Sequence, residues 1–146
     1  MNNSSISAIW WGWLVVMCIL TALFSLSFVL LPETMLASAS DTYLGSPDAY
    51  EAFGELGVRY LRFVLGVSGA VTVAWMGALL VAVLGPFRRG ERWAWTLIAV
   101  SIAIWFVIDS THSVAAGFPM NAMYNLVFLI GFGIPLGATY RHIHRP

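Results

Sequence analysis

The chain has 146 residues, of which 60% are hydrophobic and only 10% are charged, and its formal net charge is zero. Its mean hydropathy of +0.82 lies outside the range of soluble globular proteins. The composition predicts a membrane protein, and no nucleic-acid partner is expected. The single cysteine, Cys18, excludes a disulfide or a thiolate metal cluster within one chain.

Four apolar stretches are long enough to cross a hydrocarbon core about 30 Å thick, which takes roughly 20 helical residues. Backbone groups in lipid must be hydrogen-bonded within their own segment, so each stretch is predicted to be a helix. A barrel would show short alternating segments instead. We therefore expect an all-α fold, a single four-helix transmembrane domain over residues 1–146. The predicted spans are Trp10–Leu31, Leu61–Leu84, Trp93–Ser110 and Ala122–Tyr140.

The first span has a competing interpretation as a cleaved signal peptide, with Ala37-Ser38-Ala39 as the cleavage site. The segment before the span has no Lys or Arg, and its apolar run is about twice as long as a typical signal core. These features favour a span that is retained.

Arginines cluster at two ends of the predicted spans, and such clusters stay on the cytoplasmic side of a membrane. The loop over residues 32–58 carries acidic residues and no basic one, as expected of a translocated segment. We therefore predict that both termini are cytoplasmic. All basic residues apart from histidine are arginine, and Ala, Val and Gly are abundant, which together point to a GC-rich bacterial genome. We therefore expect the bacterial cytoplasmic (inner) membrane. The clustered arginines are Arg88, Arg89 and Arg92 in the turn after the second span, and Arg141 and Arg145 after the fourth.

Five tryptophans lie near the predicted cytoplasmic ends of the first and third spans. Such residues form aromatic belts at membrane interfaces. We expect this role for Trp10, Trp11, Trp13, Trp93 and Trp95.

The translocated loop contains one helix-start signal, Ser46-Pro47-Asp48, which offers a capping hydroxyl, a proline for the first helical position and an acid favoured by the helix dipole. We predict a short extracellular helix that starts there and leads into the second span, with a bend at Gly54 and Gly57. The segment Ala37 to Gly45 before it is predicted to be a loop. Charged residues then follow at spacings of three or four, so they share a face and can form ion pairs: Glu51, Glu55, Arg59 and Arg62.

Small residues recur every four positions in the second span. A row of this kind lets a neighbouring backbone approach closely and promotes helix association in lipid. The pattern predicts that the second helix lies at the centre of the bundle, and it equally suits a homo-oligomer or a larger membrane complex. The row consists of Gly66, Ala70, Ala74, Ala78 and Ala82; Gly133 and Gly137 repeat it in the fourth span.

Asp109 is an isolated acid near the end of the apolar run that starts at Trp93. It lies roughly 24 Å along the helix from Trp93, about one turn below the outer surface. A carboxylate at such a depth is costly unless it is paired or faces water. Polar residues of all four helices reach the same end, so we predict that they converge: Glu33, Arg62, Asp109, His112, Asn121 and Asn125.

Two interpretations of this cluster remain open. In the first, Asp109 and Arg62 form a structural ion pair, and Asn121 and Asn125 hydrogen-bond across helices. In the second, the cluster is an outward-facing pocket in which Asp109 and His112 bind a polar ligand or relay protons, because histidine titrates near neutral pH. His112 and Asp109 alone supply only two metal ligands, and no pair of mid-membrane histidines is available to hold a haem. No metal or cofactor is predicted.

The segment from Gly57 to Ala138 resembles a group of small, uncharacterised bacterial four-helix membrane proteins. The resemblance rests on Arg62-Phe63 at the entry of a glycine-rich helix, on the turn from Arg89 to Trp95, on Trp105 to Ser110, and on Asn121 and Asn125. A more distant similarity links the chain to DoxX-like four-helix proteins. The resemblance implies the fold and carries no activity.

Two functions are therefore expected as alternatives. In the first, the chain is a non-catalytic membrane component that packs with itself or with a membrane complex. In the second, it is a binding or transport protein, or less readily an enzyme, with a polar vestibule around Asp109 and His112. The only arrangement in the sequence that would support catalysis is an acid/base pair of Asp109 and His112. One such pair is thin support, so no catalytic residue is assigned.

Overall fold

The computed structural model describes residues 6–144, which form helices and turns and contain no strand. Arg145 lies outside the described residues. Five α-helices follow one another, with a 3₁₀ helix at Ala49–Phe53 and a π-helix at Val83–Phe87. The α-helices are α1 (Ala8–Leu30), α2 (Pro32–Leu44), α3 (Gly54–Ala82), α4 (Arg92–Ala115) and α5 (Pro119–His144).

Four helical segments are long and apolar enough to cross a membrane, and they contain the predicted spans apart from Leu31, the last residue of the first. They are Ala8–Leu30, Ala49–Phe87, Arg92–Ala115 and Pro119–His144. Their number and length indicate a multi-pass membrane protein. The all-helical fold with four spans is thereby confirmed for the part of the chain that is described.

Contacts divide the chain into two compact units, so the single-domain organisation stays a prediction. The middle unit is Leu20–Gly77, and the terminal unit comprises the chain up to Ile19 and from Ala78 onward. Helix α1 contributes its first half to the terminal unit and its second half to the middle unit.

In the middle unit, α2 occupies a segment that the sequence predicts to be a loop, so the prediction for Ala37 to Gly45 is wrong up to Leu44. Pro32 stands at the start of α2, where its missing N–H costs nothing, and Glu33 complements the dipole in the first turn. Gly45 ends the helix with a φ of 81°, a left-handed conformation that glycine adopts without strain.

The short helix predicted after Ser46 is a 3₁₀ helix, Ala49–Phe53, which follows a turn. Helix α3 begins directly after it at Gly54, whose φ of 71° interrupts the helical backbone. The backbone N–H of Tyr50 donates to Ser40 Oγ of α2 at 3.0 Å, which ties the 3₁₀ helix to α2. The change of direction therefore lies at Gly54, one of the two glycines predicted to allow it.

The packed face of α1 is small and partly polar, as membrane helix interfaces often are. Its buried residues recur at spacings of four and three, which places them on one side of the helix. They are Leu14, Cys18, Thr21 and Ser25.

Gly69 is the glycine of α3 that makes a close helix contact. A Cβ on Gly69 would come within 2.9 Å of Phe28 Cβ and would also meet the Ser25 carbonyl, so α1 and α3 approach closely at this point of the middle unit. The predicted small-residue row behaves differently, because Ala70, Ala74 and Ala78 are exposed. Four residues turn a helix by 400°, so the row drifts around α3, and only its last residue, Ala82, is buried.

In the terminal unit, α5 continues through Pro135, which has no N–H to donate. The carbonyl four residues earlier, at Gly131, is therefore left without its helical donor. Trp13 of α1 replaces that donor, with Nε1 at 2.9 Å from the Gly131 oxygen. A Cβ on Gly131 would also collide with the Met17 side chain, so Gly131 marks the contact between α1 and α5.

Candidate functional site

A tight connection between α4 and α5 sets up the polar cluster of the terminal unit. Gly117 has a φ of 88°, and the Phe118 N–H donates to the Ser113 carbonyl at 2.8 Å, which closes the end of α4. Only residues 116–118 separate the two helices, so α5 runs back along α4. The first turns of α5 thus lie beside the last turns of α4.

Asp109 is the acceptor at the centre of this cluster. Its Oδ2 accepts one hydrogen bond from Asn121 Nδ2 at 3.0 Å and a second from Asn125 Nδ2 at 2.5 Å. Both donors are side-chain amides of α5. The predicted convergence of Asp109, Asn121 and Asn125 is confirmed.

Two serines of α4 complete the network. Ser110 Oγ accepts from Asn125 Nδ2 at 3.1 Å, and Ser113 Oγ accepts from Asn121 Nδ2 at 2.8 Å. Ser113 also donates to the Asp109 carbonyl at 2.7 Å. Asn125 and Ser113 are buried and Asp109 is half-buried. Ser113 lies four positions after Asp109, a spacing that makes the two neighbours on a helix, but the sequence gives no signal for the role of Ser110.

Of the other predicted site residues, one belongs to the terminal unit and two belong to the middle unit. His112 is exposed on α4, and the hydrogen bonds of Asp109 within the described chain do not include it. Arg62 and Glu33 belong to the middle unit, where Arg62 Nε lies 3.4 Å from Glu33 Oε1. The ion pair between Asp109 and Arg62 that one interpretation requires stays a prediction, because the two residues belong to different units.

The arginine-rich turn at the other end of the terminal unit forms a second polar cluster. Glu91 accepts from Arg89 Nε and from Trp93 Nε1, each at 2.7 Å. Both hydrogen bonds lower the pKa of Glu91 below its ordinary value, and the bond from Arg89 has the larger effect. The Arg88 guanidinium lies 4.8 Å from the ring centre of Trp11, a cation–π contact.

Tryptophans of α1 and α4 bind carbonyls of α5 near this turn. Besides Trp13, Trp95 Nε1 donates to the Leu136 carbonyl at 2.9 Å, and its ring packs edge-on against Tyr140. Arg92 Nε donates to the carbonyl of Ile143 at 3.0 Å, close to the end of α5. These predicted belt residues therefore also hold the helices of the terminal unit together.

Residues 6–144 contain no group of three histidine, cysteine or acidic side chains arranged to hold a metal ion. The Asp109 cluster holds α4 and α5 together, because each asparagine amide of α5 donates both to the Asp109 carboxyl group and to a serine hydroxyl of α4.

The chain matches no protein-family model, no curated protein and no solved structure. The class of protein therefore follows from the molecule itself, as an all-helical chain with four helices of membrane-spanning length.

Proposed function

We propose that this protein is a non-catalytic membrane component, a helical bundle that associates with a second copy of itself. In this proposal, the Asp109 cluster holds α4 and α5 together, and the small residues of α3 provide the surface for association.

The observation that carries the non-catalytic role is the hydrogen bonding of Asp109 within one helix hairpin. Its polar contacts come from Asn121, Asn125 and Ser113 of the same helix hairpin. An acid/base pair would need a second titratable group at hydrogen-bonding distance, and exposed His112 makes no such bond with Asp109. A carboxylate held in this way serves the packing of the hairpin.

The exposed small residues of α3 support association. Ala70, Ala74 and Ala78 are exposed, and a Cβ at Gly66 or Gly77 would meet no atom of the described chain within 4 Å. Helices pack in lipid through such rows because small side chains let two backbones approach. A symmetric pair of α3 helices uses the same row on both copies, as closed dimers do.

The test is the oligomeric state of the full chain in nanodiscs, measured by single-molecule photobleaching. Ala74→Leu places a bulky side chain in the middle of the row and is expected to shift the population from dimers to monomers. Ala103→Leu, at an exposed alanine of α4, is the matched control and should leave the dimer intact. The proposed association through α3 would be contradicted by a wild-type protein that is monomeric at every protein density, or by a dimer that is insensitive to Ala74→Leu.

A second candidate function rests on the neutral donors around Asp109. A carboxylate that accepts only from amides among the described residues can bind a proton or a cation, as intramembrane acids of transporters do. In that case the protein binds or transports a polar solute through a vestibule lined by Asp109 and His112. Proteoliposomes with an internal pH dye would then show a proton flux that Asp109→Asn abolishes. A flux no greater than that of empty vesicles would exclude proton transport.

We also propose an orientation in the bacterial cytoplasmic membrane with both termini on the cytoplasmic side, and with α2 and the 3₁₀ helix outside. The positions of Arg88, Arg89 and Arg92 between the π-helix and the first turn of α4 support this, as does the acidic segment from Glu33 to Glu55. In a Cys18→Ala background, Asp41→Cys should react with an impermeant maleimide that is added outside the membrane. Arg89→Cys in the same background should react only after lysis. The reverse pattern would invert the topology.

A further inference from the structure

A groove of about 340 Å³ opens at the beginning of α3, in the middle unit. Its volume lies at the lower end of the range of small-molecule sites. It is lined by Glu51, Gly54, Glu55, Val58, Arg59 and Arg62. The groove thus carries two carboxylates and two guanidinium groups.

The charges in this groove are ordered along the chain. The acids come first, and Arg59 and Arg62 lie roughly 6 and 10 Å beyond Glu55 along the axis of α3. Next along the helix comes the apolar part of the span. Every fourth residue after Arg59 is a large exposed apolar side chain, namely Phe63, Val67 and Val71. From the end of the helix inward, the row therefore presents a negative charge, a positive charge and then an apolar strip.

The existing ion pairs leave these groups available to a ligand. Glu55 and Arg59 are 3.5 Å apart, with side chains that are 93% and 76% exposed. Arg62 pairs with Glu33 of α2 at 3.4 Å, with side chains that are 44% and 59% exposed. Exposed pairs of this kind contribute little to stability, so a ligand with complementary charges can replace them at small cost.

We propose that this groove binds the headgroup of a zwitterionic aminophospholipid, phosphatidylethanolamine. The phosphate lies against Arg59 and Arg62, and the ammonium, which is farther from the acyl chains, lies against Glu51 and Glu55. An acyl chain follows the apolar strip. The ethanolamine ammonium donates three hydrogen bonds that carboxylates accept, whereas a choline group donates none and is recognised by aromatic rings, which the groove lining lacks.

The charge order also separates this lipid from anionic ones. Phosphatidylglycerol offers the same phosphate, but its headgroup carries no cation for Glu51 and Glu55. Two carboxylates would then remain beside the bound lipid without a positive partner from the ligand. Binding of phosphatidylethanolamine should therefore exceed that of phosphatidylglycerol as well as that of phosphatidylcholine.

The experiment is native mass spectrometry of the full chain in a mild detergent, with dioleoyl phosphatidylethanolamine, phosphatidylcholine or phosphatidylglycerol titrated in turn. The wild-type protein should bind the ethanolamine lipid about tenfold more tightly than the other two. Glu55→Gln should lower this preference about fivefold, and Arg59→Gln should weaken the binding of all three lipids.

A double variant tests the order of the charges alone. Glu55→Arg combined with Arg59→Glu keeps an ion pair and the net charge but reverses the order, so it should abolish the preference for ethanolamine. Asp41→Arg, an exposed position of α2 outside the groove, is the control for charge and should bind as the wild type does. Equal binding of the three lipids by the wild type would overturn the proposal. If the double variant does not fold, an unchanged preference in Glu55→Gln would overturn it too.

Discussion

Removal of the Asn125 side chain is the perturbation that the Asp109 cluster predicts most sharply. Asn125 is only 5% exposed and donates both to Asp109 Oδ2 and to Ser110 Oγ. Hydrogen bonds between membrane helices are worth about 0.6–2 kcal/mol, and those to charged groups about 1.5–3 kcal/mol in soluble proteins. Loss of both bonds and the cavity left by alanine should make Asn125→Ala destabilising by about 2–4 kcal/mol.

Asn121 provides the internal comparison. It also bridges Asp109 and a serine, but it is half-buried, so water can replace part of what its amide provides. Asn121→Ala should therefore cost about 1–2 kcal/mol, less than Asn125→Ala. The assay is reversible unfolding in mixed micelles with increasing SDS, followed by tryptophan fluorescence. A cost below about 0.5 kcal/mol for Asn125→Ala, or the reverse ranking of the two variants, would refute the assignment of Asn125 as the main fastener of the hairpin.

Three further predictions use the same unfolding assay. Gly69→Ala should destabilise by about 1–3 kcal/mol because its Cβ has no room, whereas Gly77→Ala, in open space, should be neutral or stabilising by up to about 1 kcal/mol; equal effects would contradict the close contact at Gly69. Trp13→Phe should cost about 0.5–2 kcal/mol because the Gly131 carbonyl loses its donor, and a neutral result would show that water replaces the indole. Because the folded-state pKa of Glu91 is lowered, its stabilisation is complete above the ordinary glutamate range and is lost as the pH falls through the lowered value. The stability difference between wild type and Glu91→Gln should thus shrink as the pH falls below the ordinary glutamate range, and a difference that stays constant in acid would contradict this role.

The sequence was sufficient to predict the four spans and the meeting of Asp109 with Asn121 and Asn125. The spans follow from hydropathy and length alone. The asparagines follow from the short gap between two apolar runs, because a short connection makes consecutive helices antiparallel neighbours. Both predictions depend only on distances along the chain.

The absence of His112 from the hydrogen bonds of Asp109 could not be predicted in this way. Residues three and four positions after Asp109 are both neighbours on a helix. The buried residues of α4, which include Ile98, Ile102 and Ser113, mark the packed side of this helix. Ser113, four positions after Asp109, lies on that side. The packed side is set by where α5 lies, and the sequence of α4 does not contain this information.

The same limit applies to the glycines and to α2. A row of small residues shows that close approach is permitted, but the partner helix decides which glycine is used, and here it is Gly69. Helix α2 is built from small and polar residues with little periodicity, so its start at Pro32 and its end at Gly45 are the main local signals. These signals suit a loop equally well.

The most direct test of the central claim, that Asp109 is a structural fastener of the hairpin, exchanges its carboxyl group with the amide of Asn125. Asn125→Asp alone places two carboxylates against each other and should destabilise the protein by about 2–3 kcal/mol. Adding Asp109→Asn restores one acid and one amide, so the double variant should recover most of that loss in the same unfolding assay. A double variant as unstable as Asn125→Asp alone, or an Asn125→Asp variant as stable as the wild type, would contradict the claim.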